Sequence, residues 1–355
     1  MKITALFPPK TVRRFTLTLT LLMSTLCAQA TSAEDAFLSA TPGPGLYELS
    51  VDSRQNALFV AAAPSFDKDK TQGLIYRLNP TTLTTVDSWP TRRRVFATAL
   101  DAENHRLYLG NTLEGSVTVV DTRNGKELAT LQLSDAQKPE DRVHTREMVL
   151  DKQRQRLYVS GVTEKGIVWV VDTQNLTLLT TVENMGKYPT GLAIDSAKNS
   201  VYVVNGDNEI ITIDAQKNTL AARHKVDADK KHFFLNIALD SKTNRAFITD
   251  PDLPGVLVIR PDSGKLIHRI DVPNSLAVLF NPVRNEVYIS HRTAKLISIV
   301  DADTYKVKAT LPTRMLPNSL ALSADGQSLY ASIKQGEKEM SKQPDDVIKI
   351  ALGTF

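Results

Sequence analysis

Basic and aromatic side chains occur together in several short stretches of this 355-residue chain. Lysine and arginine bind phosphate groups, and an exposed ring stacks on an unpaired base at about 1–3 kcal/mol per base. This mixture predicts contacts to single-stranded nucleic acid. Solvated loops, with Phe233 or Phe234 packed between structural units, would explain the same stretches. The candidate residues are Trp89, Arg92, Arg93, Arg94, Arg146, Lys187, Tyr188, Lys230, Lys231, His232, Phe233, Phe234, His291, Arg292 and Arg314.

A second set of polar side chains lies at three matching positions of a recurring strand pattern: one position in a first strand, the residue before it, and the third residue after a repeated aromatic. Carboxylate and amide oxygens are ligands of hard cations such as Ca²⁺, and a bound cation can polarise a carbonyl group or activate water. The alternative is a water-filled pore with a polar lining, in which Arg146 beside Glu147 forms an internal ion pair. We favour the pore, so no metal ion and no cofactor is assigned. The members of the set are Glu48, Asn111, Glu147, Asn205, Asn236, Asp250 and Asn318.

Motifs of other chemistries do not occur in the sequence. Its six histidines form no H-x-H or H-E-x-x-H pair for zinc. There is no G-x-x-x-x-G-K or G-x-G-x-x-G phosphate loop and no G-x-S-x-G nucleophile elbow. The only cysteine, Cys27, lies near the N-terminus. The chain is therefore expected not to be an enzyme of these classes.

The elements that must position these residues are repeated strands. An aromatic residue followed by small or β-branched residues recurs seven times, with spacings of 41 to 50 residues. Units of this length with four short strands each are typical of β-propeller blades. The sequence therefore predicts an all-β, seven-bladed propeller. The repeated aromatics are Phe59, Tyr108, Tyr158, Tyr202, Phe247, Tyr288 and Tyr330.

The turns between the first and second strands of these units are rich in Asp and Asn, as in "LSVDSRQN" and "LAIDSAKN". Such side chains hydrogen-bond their own main chain. The pattern predicts a structural role, without catalysis, for Asp52, Asp101, Asp151, Asp195 and Asp240.

The seventh unit lacks a fourth strand, because only Gly353 to Phe355 follow "DDVIKIAL". A spare segment, Ala36 to Ala40, precedes the first unit. We expect this N-terminal segment to complete the last blade, which closes the ring and leaves no open sheet end.

The units resemble the YVTN family of propeller repeats, as in "PNSLALSADGQSLYAS" and "GSVTVVDTRNGKELATL". Less repeat-like stretches, "KHFFLNIALD", "SLAVLFNPVRNEVYISHR" and "QPDDVIKIAL", carry a closer resemblance to one bacterial propeller of this family. That resemblance implies a soluble periplasmic protein, not known as an enzyme, to which DNA binding is attributed. The fold by itself hosts many activities.

The first 30 residues have the features of a secretory signal peptide. Lys2, Lys10, Arg13 and Arg14 precede an apolar stretch and the A-x-A motif at residues 28–30. We expect residues 1–30 to be removed and residues 31–355 to form one propeller domain in the periplasm. Of the 43 basic and 39 acidic residues, these four are removed, so the remainder carries 39 of each and is formally neutral. A charged partner must therefore be recognised by a local patch.

These patterns together predict a monomeric, non-enzymatic binding propeller with no membrane insertion after signal cleavage. The expected partner is single-stranded DNA, bound across one face of loops. Two alternatives belong to other classes. One is an interaction scaffold for a protein of the cell envelope, and the other is a metal-assisted hydrolase or lactonase at the mouth of the central channel.

Overall fold

Segments rich in Val, Ile, Leu and Thr, bounded by Asp, Asn and Gly turns, favour strands because branched side chains pack well on a pleated surface. The structure is a computed structural model that describes residues 37–67, 69–336 and 343–355. Within these ranges the chain forms strands β1 to β28, arranged as seven four-stranded antiparallel sheets.

The first four blades are formed by consecutive strands. Blade 1 contains β2 (Leu46–Asp52), β3 (Ala57–Ala62), β4 (Gly73–Leu78) and β5 (Thr85–Thr91). Blade 2 contains β6 (Ala97–Asp101), β7 (Arg106–Asn111), β8 (Ser116–Asp121) and β9 (Glu127–Gln132). Blade 3 contains β10 (His144–Asp151), β11 (Arg156–Val162), β12 (Ile167–Asp172) and β13 (Thr177–Glu183). Blade 4 contains β14 (Gly191–Asp195), β15 (Ser200–Val204), β16 (Glu209–Asp214) and β17 (Thr219–Lys225).

Blades 5 and 6 repeat this order, and blade 7 departs from it. Blade 5 contains β18 (Ile237–Asp240), β19 (Arg245–Ile248), β20 (Val256–Ile259) and β21 (Leu266–Ile270). Blade 6 contains β22 (Val278–Asn281), β23 (Glu286–His291), β24 (Leu296–Asp301) and β25 (Val307–Pro312). Blade 7 contains β26 (Leu316–Leu322), β27 (Ser328–Lys334), β28 (Asp345–Ala351) and β1 (Phe37–Gly43).

The predicted closure of the ring is confirmed. Strand β1 pairs antiparallel with β28, with Phe37 opposite Ile350 and Ala40 opposite Val347. The innermost strands of neighbouring blades contact one another around the ring, including β2 with β26. The all-β, seven-bladed architecture with four-stranded blades is therefore confirmed, with the N-terminal strand completing blade 7. Ala36, the first residue of the predicted segment, and the predicted signal peptide at residues 1–30 lie outside the described residues.

The repeated aromatics form the core between blades. All seven lie on the second strand of their blade and are at most 3% exposed. The Tyr108 hydroxyl donates to the Thr173 carbonyl oxygen of the next blade at 3.3 Å, and the Tyr330 hydroxyl donates to that of Pro80 at 2.9 Å. These bonds satisfy the buried phenols and join neighbouring blades.

The arginine that begins some second strands also joins blades. Arg106 Nη1 donates to the Thr173 carbonyl oxygen at 2.5 Å, and Arg156 Nη1 donates to that of Ala215 at 2.5 Å. In each case the acceptor lies in a turn of the next blade. The "RLY" pattern of the sequence thus pairs an interblade guanidinium with an interblade phenol.

The aspartates at the first turns have the predicted structural role. The Asp52 carboxylate accepts the main-chain N–H of Arg54 at 2.9 Å, and that of Asp195 accepts the N–H of Lys198 at 3.2 Å. Several of these turns end on a residue with positive φ, such as Asn56 and Asn199. Asparagine tolerates this left-handed geometry better than most side chains.

No helix among the described residues has the length and apolar character needed to cross a membrane.

Candidate functional site

A cavity of about 470 Å³ occupies one end of the central channel, where all seven innermost strands contribute to the walls. Three of these strands carry a β-bulge, seen as register shifts between Leu46 and Leu49, Thr145 and Met148, and Pro317 and Leu320. A bulge leaves residues unpaired in the ladder and redirects their side chains. The bulge residues that line the cavity are Tyr47, Glu48, Arg146, Glu147, Asn318 and Ser319.

Two carboxylates share one guanidinium in this cavity. Arg146 Nη1 lies 3.9 Å from Glu48 Oε1 and 4.0 Å from Glu147 Oε2, which is too far for a hydrogen bond. Burial raises the pKa of Glu48 well above its usual range, and the neighbouring Glu147 raises it further, whereas Arg146 and the Thr98 N–H partly offset the rise. Burial also raises the pKa of Glu147, against the opposing charge of Arg146.

The same cavity contains hydrogen-bond donors without acceptors. Within the described ranges, neither the Tyr47 hydroxyl nor the Arg292 guanidinium has a hydrogen-bond or ion-pair partner, and Arg292 Nε is buried. Burial raises the pKa of Tyr47 to about 12, although the charges of Arg292 and Arg146 act in the opposite direction. Both guanidinium groups are therefore close to the phenol. Lys334 Nζ lies 3.7 Å from the centre of the Tyr47 ring.

The predicted channel-mouth ring is partly wrong. Glu48, Glu147, Asn236 and Asn318 line the cavity. Three other members project from the ends of second strands or just beyond and are buried within the loops that follow: Asn111, Asn205 and Asp250.

Each of these buried side chains has main-chain or side-chain partners. Asn111 Nδ2 donates to the Arg94 carbonyl oxygen at 3.1 Å, and Asn205 Nδ2 donates to that of Met185 at 2.9 Å. Asp250 Oδ1 accepts the N–H of Asp252 at 2.8 Å. The oxygens of both asparagines also accept hydrogen bonds, from the Thr118 hydroxyl and the Asp207 N–H, so these buried polar groups are paired inside the protein.

His291 is also wrong as an exposed binding residue. It is fully buried, with Nδ1 3.0 Å from the Asn274 carbonyl oxygen and Nε2 3.0 Å from Ser298 Oγ. Burial lowers the pKa of its imidazole, although hydrogen bonds to the main chain oppose that effect.

Only part of the set suggested for a hard cation comes together in the cavity. The part of the chain that the structure describes contains no group of three or more His, Cys, Asp or Glu side chains placed to hold a metal ion. Asn205, a member of the set suggested for a hard cation, points away from the cavity into its own loop, where its Oδ1 accepts the Asp207 N–H at 2.9 Å.

An aromatic pair lies on the loops that connect blades 3, 4 and 5. The rings of Tyr188 and Phe233 are half-buried, with centroids 6.3 Å apart. Lys187 Nζ lies 5.1 Å from the centre of the Tyr188 ring and 3.2 Å from Glu164, whose carboxylate also accepts the Tyr188 hydroxyl. A Cβ on Gly206 would lie 3.0 Å from the Phe233 ring, so a larger residue at position 206 would crowd this ring.

Two lysines next to this pair extend into solvent. Lys230 and Lys231 are exposed and form no ion pair with any residue that the structure describes. Two hydrogen bonds to Asn208 hold their loop in place. The His232 N–H donates to Asn208 Oδ1 at 2.7 Å, and Asn208 Nδ2 donates to the Lys230 carbonyl oxygen. The loop therefore presents both lysines from a fixed backbone.

His232 and Phe234, predicted as binding residues, are instead buried supports of this loop. Phe234 is 0% exposed and stacks against His232 at 5.1 Å between ring centroids. His232 Nδ1 lies 2.7 Å from Asp250 and Nε2 lies 3.0 Å from Asp227. Burial alone would lower the pKa of His232, but the hydrogen bonds to these two carboxylates outweigh it and raise the pKa.

The prediction of Trp89 as a stacking residue on a loop is wrong. Trp89 lies in β5, is 6% exposed and packs on Phe59 with centroids 5.6 Å apart. Its Nε1 donates to Asp87 at 2.8 Å. Gly125 of blade 2 fits against the indole, since a Cβ there would lie 2.1 Å from Trp89 Cγ. Trp89 is a packing residue between blades 1 and 2.

The three arginines that follow Trp89 have different environments. The Arg92 side chain is 88% exposed, with one carboxylate, that of Glu127, at 3.9 Å. Arg93 is half-buried and donates to Ser116 at 2.5 Å. Arg94 is buried and pairs with Glu114 at 2.9 Å, so its prediction as a binding residue is wrong.

Arg314 is exposed but already paired. Its Nε and Nη2 both donate to the Asp346 carboxylate, at 3.0 and 2.8 Å. This bidentate geometry leaves less of the guanidinium for an external phosphate.

Three aromatic residues at the mouth are not identified by sequence reasoning. Tyr47 and Phe96 have centroids 4.4 Å apart, and Phe66, which is 40% exposed, lies 5.9 Å from Phe96. Tyr47 lies on the bulge of β2, Phe66 in the connection from β3 to β4 and Phe96 in the connection from β5 to β6, so no local motif unites them. The one signal in the sequence is Tyr47 directly before Glu48 in "LYELSVD".

The sequence has recognisable relatives. The model of a family described as "Lactonase, 7-bladed beta-propeller" matches residues 65–231. The chain is 43% identical over 329 residues to protein YncE of Salmonella typhimurium and 40% identical over 328 residues to YncE of Escherichia coli strain K12. Each match covers 91% of this chain and 93% of the relative.

Among solved structures, one similar chain belongs to hydrazine synthase of Kuenenia stuttgartiensis, with a TM-score of 0.69. That match covers 88% of this chain and 97% of the other, at 16% sequence identity, and it shows the fold alone. The seven-bladed ring and the identity of 40–43% to proteins covered almost end to end show that this chain belongs to the YncE family of β-propeller proteins.

Proposed function

We propose that this protein is a non-enzymatic binding propeller that holds single-stranded DNA on the loop face around Tyr188 and Phe233. One observation carries the proposal: two half-buried rings lie beside exposed lysines that form no ion pair with the described residues. Single-strand sites combine such stacking platforms with a basic track for the backbone.

The proposed contacts to DNA are of two kinds, base stacking and phosphate binding. The Phe233 and Tyr188 rings offer surfaces on which bases stack without sequence preference. Lys230 and Lys231 are free to meet phosphates, and Arg92 extends the basic surface on another loop of the same face. Lys187 must exchange its contact with Glu164, 3.2 Å away, before it can bind a phosphate.

We further propose that the protein acts in the periplasm as a monomer, without membrane insertion. The support is the pattern of the first 30 residues, where a basic start, an apolar stretch and an A-x-A motif are typical of an export signal.

The two alternatives have less support. A scaffold for an envelope protein needs a contiguous apolar patch, whereas exposed apolar side chains such as Val86, Leu128 and Val307 lie on the outermost strands of different blades. For the metal-assisted hydrolase or lactonase, the family match ends at residue 231 and excludes Glu48 and Arg292 of the cavity. The activity in that family description is therefore not assigned to this chain.

Fluorescence anisotropy of a labelled single-stranded oligonucleotide across a salt series tests the DNA proposal. We expect saturable binding that weakens with salt. The double variant Lys230→Gln/Lys231→Gln should reduce the slope of log K against log salt by ~0.7 for each phosphate that a lysine no longer neutralises. Phe233→Ala should cost about 1–3 kcal/mol of affinity.

The matched control is Lys242→Gln/Lys265→Gln, which removes two exposed lysines from turns at the other end of blade 5. This variant should retain the affinity and the salt slope. Absence of binding at low salt, or an equal loss in the control, would overturn the proposal.

A further inference from the structure

The lining of the channel cavity contains two sets of groups with opposite chemistry, which we call the donor wall and the acceptor wall. One wall presents the Tyr47 phenol and the Arg292 guanidinium, neither of which has an acceptor within the described ranges. The other presents the carboxylates of Glu48 and Glu147. Arg146 lies 3.9 and 4.0 Å from these carboxylates, and its charge also acts on Tyr47. Three β-bulges aim four of these groups and Asn318 inward, so the arrangement is built into the ring.

The donor wall is suited to one anionic group. Arg292 Nε is buried without an acceptor, and an unsatisfied buried donor costs about 1–3 kcal/mol of free energy. A carboxylate placed between Arg146 and Arg292 would accept from both guanidinium groups and from the Tyr47 hydroxyl. Lys334, held 2.8 Å from the Leu46 carbonyl oxygen and 3.7 Å from the centre of the Tyr47 ring, pairs with Asp345 at 3.6 Å, so its charge is already balanced within the protein.

The acceptor wall is suited to one cationic group. Glu48 Oε2 accepts the Thr98 N–H at 2.8 Å, but Glu48 Oε1 and Glu147 Oε2 have only the Arg146 guanidinium nearby, at 3.9 and 4.0 Å. An ammonium group between them would replace repulsion by two charge-assisted hydrogen bonds. The two carboxylates would repel the phosphate groups of a nucleic acid. The cavity is therefore not part of the proposed DNA surface.

The volume of the cavity and its apolar lining residues limit which class of ligand can bind. A volume of about 470 Å³ is within the range of small-molecule pockets. Leu235, Leu276, Leu320 and Phe96 provide apolar walls. A small zwitterion with an apolar side chain satisfies all three features.

We propose that this cavity binds a dipeptide-sized zwitterion, with its carboxylate at Tyr47, Arg146 and Arg292 and its ammonium group at Glu48 and Glu147. This site is separate from the DNA surface and does not depend on it.

Isothermal titration calorimetry of the purified protein with three probes tests the site. The probes are the dipeptide Ala-Leu, N-acetyl-Ala-Leu, which lacks the cation, and Ala-Leu amide, which lacks the anion. We expect Ala-Leu to bind at least about tenfold more tightly than either blocked form, since each loses one charged partner. Equal binding of a blocked form and the free dipeptide, or no binding of Ala-Leu at millimolar concentration, would overturn the proposal.

Two variants test which charged group of the dipeptide binds at which wall. Arg292→Gln should abolish the preference for the free carboxylate over the amide, and Glu147→Gln should abolish the preference for the free amine over the acetylated form. Lys165→Gln, at an exposed lysine on the same face outside the cavity lining, should bind all three probes like the parent protein. Circular dichroism melts verify that each variant folds.

The proposal of a dipeptide site and the proposal of a DNA surface can be tested independently. Lys230→Gln/Lys231→Gln should retain affinity for Ala-Leu whatever it does to DNA binding. Loss of Ala-Leu binding in that variant would contradict the separation of the two sites.

Discussion

Glu48 shows how one side chain in the channel couples charge to stability. It lies on a bulge of β2, its Oε2 accepts the Thr98 N–H at 2.8 Å, and Glu147 shares its nearest guanidinium. Because burial and the second carboxylate raise its pKa, the folded state favours the neutral form. Ionisation therefore costs stability as the pH rises from the usual glutamate range to the raised pKa.

Glu48→Gln should stabilise the protein at pH 8 and have no such effect at pH 4. Glutamine keeps an oxygen for the Thr98 N–H but carries no charge to bury. Near pH 4 the parent residue is largely protonated in both states, so the difference disappears. We expect a melting temperature higher by roughly 1–3 °C at pH 8, measured by circular dichroism. Glu140→Gln on an exposed loop is the control, and an effect of Glu48→Gln that is equal at both pH values would contradict this account.

At the scale of elements, the fourth strand of a blade has two different uses. Strand β5 buries Trp89 against Phe59 and the Gly125 turn of blade 2, so this strand stabilises an interblade contact. The connection after β17 presents Lys230, Lys231 and Phe233 instead, on a loop anchored by His232 and Asn208. In the sequence, both segments have the same basic-aromatic appearance.

Trp89→Ala should therefore destabilise the fold without weakening DNA binding. Removing a buried indole leaves a cavity and costs about 3–5 kcal/mol, measured by chemical denaturation. The affinity of the folded fraction for the oligonucleotide should be unchanged, whereas Phe233→Ala should show the opposite pattern. If a folded Trp89→Ala protein binds DNA as weakly as Phe233→Ala, then Trp89 contacts DNA and this prediction is wrong.

At the scale of the whole molecule, the chain closes its own ring. Strand β1 supplies the outermost strand of blade 7 by pairing with β28, and Tyr330 of that blade bonds Pro80 of blade 1. The Leu46 N–H also donates to Asp345 at 2.8 Å, which joins the two ends of the chain again. A closed ring leaves no unpaired interface between blades, so stability is shared around it.

Deletion of residues 34–42 should lower the stability of the entire ring. The expected result is one cooperative melting transition at a temperature clearly lower than that of the parent protein, because blade 7 loses its outer strand and the closure. A shorter deletion of residues 31–35, which stops before β1, is the control and should melt like the parent. An unchanged melting temperature after the longer deletion would contradict closure by β1.

The sequence by itself determined the repeat and hence the fold. Seven aromatics at regular spacing, Asp and Asn turns, and a last unit with one strand too few are local patterns, and each has a local physical cause in strand packing, turn geometry or unpaired edges. The placement of Glu48 and Glu147 in the channel followed from the same alignment of strands.

Only the tertiary structure decided which polar and aromatic side chains are available to a ligand. Trp89 and Phe233 both follow a strand pattern in a basic context, yet one packs on a neighbouring blade and the other remains half-exposed. Asn111 and Asp250 share a register position, and the loops fold over both. The three bulges that bring Tyr47, Arg146 and Asn318 into one cavity depend on how seven blades meet. Exposure and convergence are properties of contacts between distant segments, which the spacing of residues along one chain does not encode.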